Sequence, residues 1–167
     1  RKNATMMRNI LAPISLGNFL YQKIMYFVML SFIQLALMLL VTAYFGVTYQ
    51  ITYEFILVAF IVSIVFSSMG IFIGTLARSE NIALLISLVL AIPMMFLSGV
   101  FFPFESMPKL MNTIGFYSPL SLAINSFDRI LIYNTGIDTT LLLMLIGISL
   151  IFFLLSILSI KKKPTIE

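Results

Sequence analysis

The chain has 167 residues, 61% of them hydrophobic and only 10% charged, where a soluble domain is roughly half apolar and a quarter charged. Lipid is therefore the expected solvent, and the net charge of +4 is read by its position along the chain, with no nucleic-acid partner implied. Neither cysteine nor histidine occurs, which excludes disulfides, thiol nucleophiles, and the commonest general base and transition-metal ligand; no cofactor and no metal site are expected.

The chain opens on Arg1-Lys2-Asn3, without an initiator methionine or a signal-peptide pattern. This reads as the middle of a cytoplasmic loop (1–23), with more sequence expected upstream. Met6, Met7, Ile10, Leu11 and Ile14 recur at helical spacing, while Thr5, Arg8, Asn9 and Ala12 fall largely on the other side. This is a short amphipathic helix closed by Pro13. Ser15 reads as the N-cap of the helix that follows. Such a helix either rests among lipid headgroups or docks on a cytoplasmic partner, and periodicity does not choose.

Four uncharged stretches reach the roughly 20 residues needed to cross a bilayer: 24–46, 55–77, 81–104 and 139–160. The second carries Ser63, Ser67, Gly70 and Gly74, and its Gly70-x-x-x-Gly74 pattern predicts a close helix approach. The third contains Pro93, which predicts a kink, and then Ser98-Gly99. Residues 105–138 are mixed and are not read as a span. Ser106 ahead of Met107-Pro108, and Ser118 ahead of Pro119, resemble helix caps with proline in the first turn. From Pro119, Leu120, Ala123, Ile124, Phe127, Ile130 and Leu131 form an apolar stripe, opposite Ser121, Asn125, Asp128 and Arg129. Asn134-Thr135-Gly136 reads as a turn. The fold class is thus an all-α polytopic transmembrane helix bundle of four spans with two short external or re-entrant helices.

Four spans place both termini on one side. Arg1, Lys2, Arg8, Lys23, Arg78, Lys161, Lys162 and Lys163 fall on that side, and only Lys109 and Arg129 on the other. Lys/Arg excess marks cytoplasmic loops. The expectation is a multi-pass cell-membrane protein with both termini cytoplasmic and a basic tail at 161–167.

The spans contain no Asp, Glu, Lys, Arg or His, which argues against an intramembrane proton relay. Coordination of Na⁺ by backbone carbonyls stays open. Paired intramembrane aspartates, or a serine with a His or Lys base, are missing, so no enzyme is expected. No Gly-x-x-x-x-Gly-Lys-Ser/Thr loop is present, and ATP hydrolysis by that route needs another chain. No TVGYG-like filter or charged ring suggests a channel.

Three segments then resemble a known family. Arg1-Lys2-Asn3-Ala4-Thr5-Met6-Met7-Arg8-Asn9-Ile10-Leu11-Ala12-Pro13-Ile14-Ser15 is similar to the loop ahead of the third span in type-2 ABC transporter permeases, with a pattern GT-x-x-R-L-x-x-x-P-I-S. Ala4 stands where the family often has Gly. Leu97-Ser98-Gly99-Val100-Phe101-Phe102-Pro103-Phe104-Glu105-Ser106-Met107-Pro108 resembles its SG-x-x-F-P-x-x-x-x-P stretch. Pro119-Leu120, Ala123 and Asp128-Arg129 match a third pattern. The resemblance implies the permease component of an ATP-driven exporter, with two further spans upstream. It implies a coupling helix, with Thr5, Met7, Arg8, Ile10, Leu11 and Pro13 docking on a separate ABC ATPase subunit. It implies external helices near the exit, with Gly99, Pro103, Glu105 and Pro119 at an external gate. It also implies a second permease half, as homo- or heterodimer, with membrane lipid around both. The alternative is a non-transporting membrane scaffold or assembly subunit.

Overall fold

The computed structural model describes residues 16–47, 49 and 51–162. Among them all regular structure is helical: α1 (Leu16–Tyr44), α2 (Tyr53–Leu76), α3 (Glu80–Leu97), a 3-10 turn (Phe104–Ser106), α4 (Lys109–Phe116), α5 (Pro119–Leu131) and α6 (Thr139–Lys162). Four of these, α1, α2, α3 and α6, are long and apolar enough to cross a membrane. At 1.5 Å per residue even α3, with 18 residues, is about 27 Å long.

Helices are the expected answer in hydrocarbon, because each backbone group must find its partner within its own segment. The span hydroxyls follow the same logic. Ser31 donates to the Phe27 carbonyl, Ser63 to Ala59, Ser68 to Val65, Ser87 to Ala83 and Ser156 to Phe152. Among the described residues no buried side-chain polar atom lacks a partner.

α2 is the hub of the bundle. It packs most extensively on α6 and also touches α1, α3 and α5. Against α6, Val65 meets Leu141 and Leu145, and the rings of Phe72 and Phe152 lie 5.7 Å apart. Residue numbers rise together along both helices, so they run in the same direction. Against α1, the Phe32 and Phe60 rings are 6.5 Å apart, while Leu35 and Leu39 reach the cluster of Phe55 and Val58. That pair is antiparallel. α5 completes the cluster through Ile130 and Phe127, whose ring is 5.3 Å from that of Phe55. α3 contributes no buried residue.

Several local expectations are corrected. α3 ends at Leu97, short of the end of the 81–104 apolar run, because the chain turns at Ser98-Gly99, where the sequence already argues against a plain straight helix. Ser106 does not cap α4. Its hydroxyl donates to the Pro103 carbonyl at 2.8 Å, and Pro108 occupies the cap position instead. Ser118 does cap α5, accepting from the Ser121 amide at 3.2 Å. The polar face expected on α5 is partly wrong. Ser121 is fully buried, as are Leu122 and Ser126. α5 is flanked by α2, α3 and α6, so more than one stripe is covered. Serines fit there because their hydroxyls close local bonds: Ser121 to Ser118, and Ser126 to the Leu122 carbonyl.

Candidate functional site

The residues expected to dock an ATPase, Thr5, Met7, Arg8, Ile10, Leu11 and Pro13, lie outside the described residues, as does the cap expected at Ser15. At the end of the bundle where α1 begins, α2 and α3 are joined through Ala77, Arg78 and Ser79. Ser79 caps α3, accepting from the Ile82 amide at 3.3 Å. Sequence reasoning overlooked this cap, although a serine followed by Glu80 and an apolar run is the usual signal.

Gly70 and Gly74 were expected to support a close helix approach. A Cβ built on either meets no atom within 4 Å, and both glycines are exposed. Within this chain the tight seam lies elsewhere on α2. Between the Val65–Leu145 contact and the Phe72–Phe152 contact fall Ser68 and Ser149, both buried small residues. Gly70 instead lines an apolar groove of about 310 Å³, with Met69 of α2, Met94 and Met95 of α3, and Leu120 of α5.

The residues expected at an external gate fall in two places, three of them towards the opposite end of the bundle. Gly99, Pro103 and Glu105 belong to the connector between α3 and α4. Gly99 has φ +87°, and the Phe104 ring fills the space a side chain would need, 2.6 Å from a built Cβ. A residue other than glycine is strained there on both counts. Pro103 leads into the 3-10 turn that contains Glu105. Asn112 of α4 ties this turn down by donating to the Phe104 carbonyl at 2.8 Å. Pro119, the fourth residue, opens α5 behind Ser118 deeper in the bundle, where the adjacent Leu120 meets the groove of Met69 and Gly70. Sequence reasoning overlooked Gly115 of α4. A Cβ there would collide with the Leu97 carbonyl, so glycine lets α4 cross the end of α3.

The end carrying Pro103 and Glu105 also holds a cleft of about 540 Å³ between α4, α5, the 134–136 turn and α6, with charged side chains set in a largely apolar lining. Arg129 and Asp138 face each other across it with a nitrogen–oxygen distance of 3.2 Å. Asp138 also accepts from the Thr140 amide at 2.9 Å, ahead of α6. That amide holds the Asp138 carboxyl below the ordinary carboxylate range; partial burial opposes the shift and Arg129 supports it. Asn134 and Gly136 adopt positive φ, as the expected turn requires, and the Thr135 amide closes the loop onto the Arg129 carbonyl. Among the described residues no group of His, Cys, Asp and Glu is arranged to hold a metal.

Residues 1–132 match the family described as ABC-2 type transporter. The chain is 31% identical over 170 residues to a protein named inner membrane transport permease YhhJ from Escherichia coli (strain K12), and to its namesake from Shigella flexneri. Each alignment covers 97% of this chain and 45% of the relative, so the chain spans about half the length of the relatives it matches. No solved structure matches the chain.

Proposed function

The chain belongs to the ABC-2 type transporter family, and from that premise we propose that it forms most of the membrane pathway of an ATP-driven exporter whose energy comes from a separate ATPase subunit. The observation that carries this reading is the family match across residues 1–132, which includes the amphipathic segment ahead of α1. The absence of ionisable residues from the interiors of the apolar runs supports an external energy source over ion coupling. No nucleotide-binding loop occurs in the sequence, so the chain acts as a non-catalytic partner.

In this reading the end carrying Arg78 and the termini faces the cytoplasm, where the coupling helix meets the ATPase. The end carrying Gly99, Pro103 and Glu105 faces outward, and with Pro119 deeper in the bundle it gates the exit. A second permease half pairs with the first, and substrate passes between them. α3 is the barest span: Leu84 is 64% exposed and Val89 70%. Its apolar surface is covered by lipid or by that second half.

The test is purification of the full-length protein from its native membrane. An ABC ATPase should copurify, and reconstitution of the pair should give hydrolysis faster than that of the ATPase alone. A protein that inserts stably, binds no ATPase and leaves hydrolysis unchanged would be a scaffold instead.

A further inference from the structure

The cleft beside α5 has a composition that the permease reading does not use. Its charged lining consists of Asp128, Arg129 and Asp138. Arg129 and Asp138 neutralise each other, which leaves one negative charge in excess, on Asp128. Asp128 is half-buried and has neither a side-chain hydrogen bond nor an ion pair among the described residues. One further feature deepens the negative potential: α5 ends at Leu131, so the negative end of its dipole lies at the cleft.

The walls are mixed in character. Tyr133 and Phe116 bring aromatic rings, whose faces attract cations. Leu141 and Met144, in the first two turns of α6, add an apolar wall. A carboxylate near aromatic rings, beside an apolar wall at the end of a membrane span, complements one chemistry. We propose that this cleft is a binding site for an ammonium group carried on an apolar body, with Asp128 as its counter-ion. The amine of an outer-leaflet lipid headgroup and a free amphiphilic amine share that chemistry.

Binding, not transport, is the readout, so the test is independent of the exporter reading. The full-length protein is placed in phosphatidylglycerol nanodiscs and titrated with benzyltrimethylammonium and with neutral benzyl alcohol. The ammonium should bind more tightly than the alcohol. Asp128→Asn should weaken the ammonium about tenfold, the scale of one charge-assisted contact, while Asp128→Glu should retain it. Alcohol binding should be the same in all three proteins. Adding phosphatidylethanolamine to the disc separates the two sources. A fall in apparent affinity identifies the lipid amine as an occupant, and an unchanged affinity identifies a free amphiphile. Equal binding of ammonium and alcohol to the unaltered protein would overturn the proposal. So would an Asp128→Asn protein that binds the ammonium as well as its parent.

Discussion

The carbonyl of Leu97, at the end of α3, stands against the backbone of Gly115 in α4, in the space a Cβ would need. A carbonyl at a helix end cannot rotate away as a flexible side chain does. Gly115→Ala should therefore displace α4 and cost about 1–3 kcal/mol, the usual range for overpacking. Thermal unfolding in detergent checks this, with Leu110→Ala as the control. Leu110 is 71% exposed and its loss should change little.

This contact also shows where reading the sequence stops. The spans are legible because length and composition decide them locally. The Ser118-Pro119 cap is legible for the same reason, since all its parts are adjacent. Gly115 was not, because its partner lies in another helix and no spacing pattern announces it. The buried face of α5 was half-read. Leu120, Ala123, Phe127 and Ile130 follow one stripe, which Ser126 borders, whereas Ser121 is buried on another side. Gly70 and Gly74 matched a packing motif, yet inside this chain Ser68 and Ser149 fill that place. A motif records that a close approach is possible, not which helix makes it.

The two small-residue faces of α2 separate by mutation. Ser68 is 1% exposed along the α6 seam, so Ser68→Leu should force α2 and α6 apart and lower the melting temperature of the isolated chain. Gly74 has open space around it, so Gly74→Leu should leave that temperature unchanged. In the full-length protein Gly74→Leu should weaken association with whatever helix covers this face. Blue-native electrophoresis reads the association. Wild-type assembly in Gly74→Leu would place that face against lipid.

The turn before α6 carries a pH signature. The Asp138 carboxyl is held below its ordinary range, first by the Thr140 amide, with Arg129 adding to the effect against the opposing cost of burial. A lowered value means that the ionised form stabilises the fold. That contribution is present above the ordinary carboxylate range and is lost as pH falls through the lowered value. Asp138→Asn keeps an acceptor for the Thr140 amide but loses the charge. The gap in melting temperature between parent and variant should be open at neutral pH and close in acid, below about pH 4. A gap that is constant across this range would mean that the charge contributes nothing.

The proposed orientation rests on the distribution of basic residues. With single cysteines in the full-length protein, Lys109→Cys should react with an impermeant thiol reagent in intact cells. Asn81→Cys should react only after the membrane is opened. Both residues are exposed, at opposite ends of the bundle. Labelling of Asn81→Cys from outside would invert the topology.

The last prediction carries the functional reading. The segment before α1 is amphipathic and basic in sequence, and it precedes apolar runs that carry no charged residue. Docking on an ATPase takes a small apolar anchor ringed by polar contacts. In the proposed docking Met7, Ile10 and Leu11 would supply the anchor and Thr5 and Arg8 the polar contacts, ahead of Pro13. Lipid is the rival partner for the same apolar face, and the two differ in what a single charge does. Leu11→Asp places a carboxylate at the centre of the anchor, and Arg8→Glu reverses a contact at its edge. If the segment docks, either change should leave membrane insertion intact while releasing the ATPase during purification or uncoupling its hydrolysis from export. If it only rests on lipid, the ATPase should copurify as before and export should continue. Leu11→Asp should then shift only the helix's membrane depth, readable by spin-label accessibility.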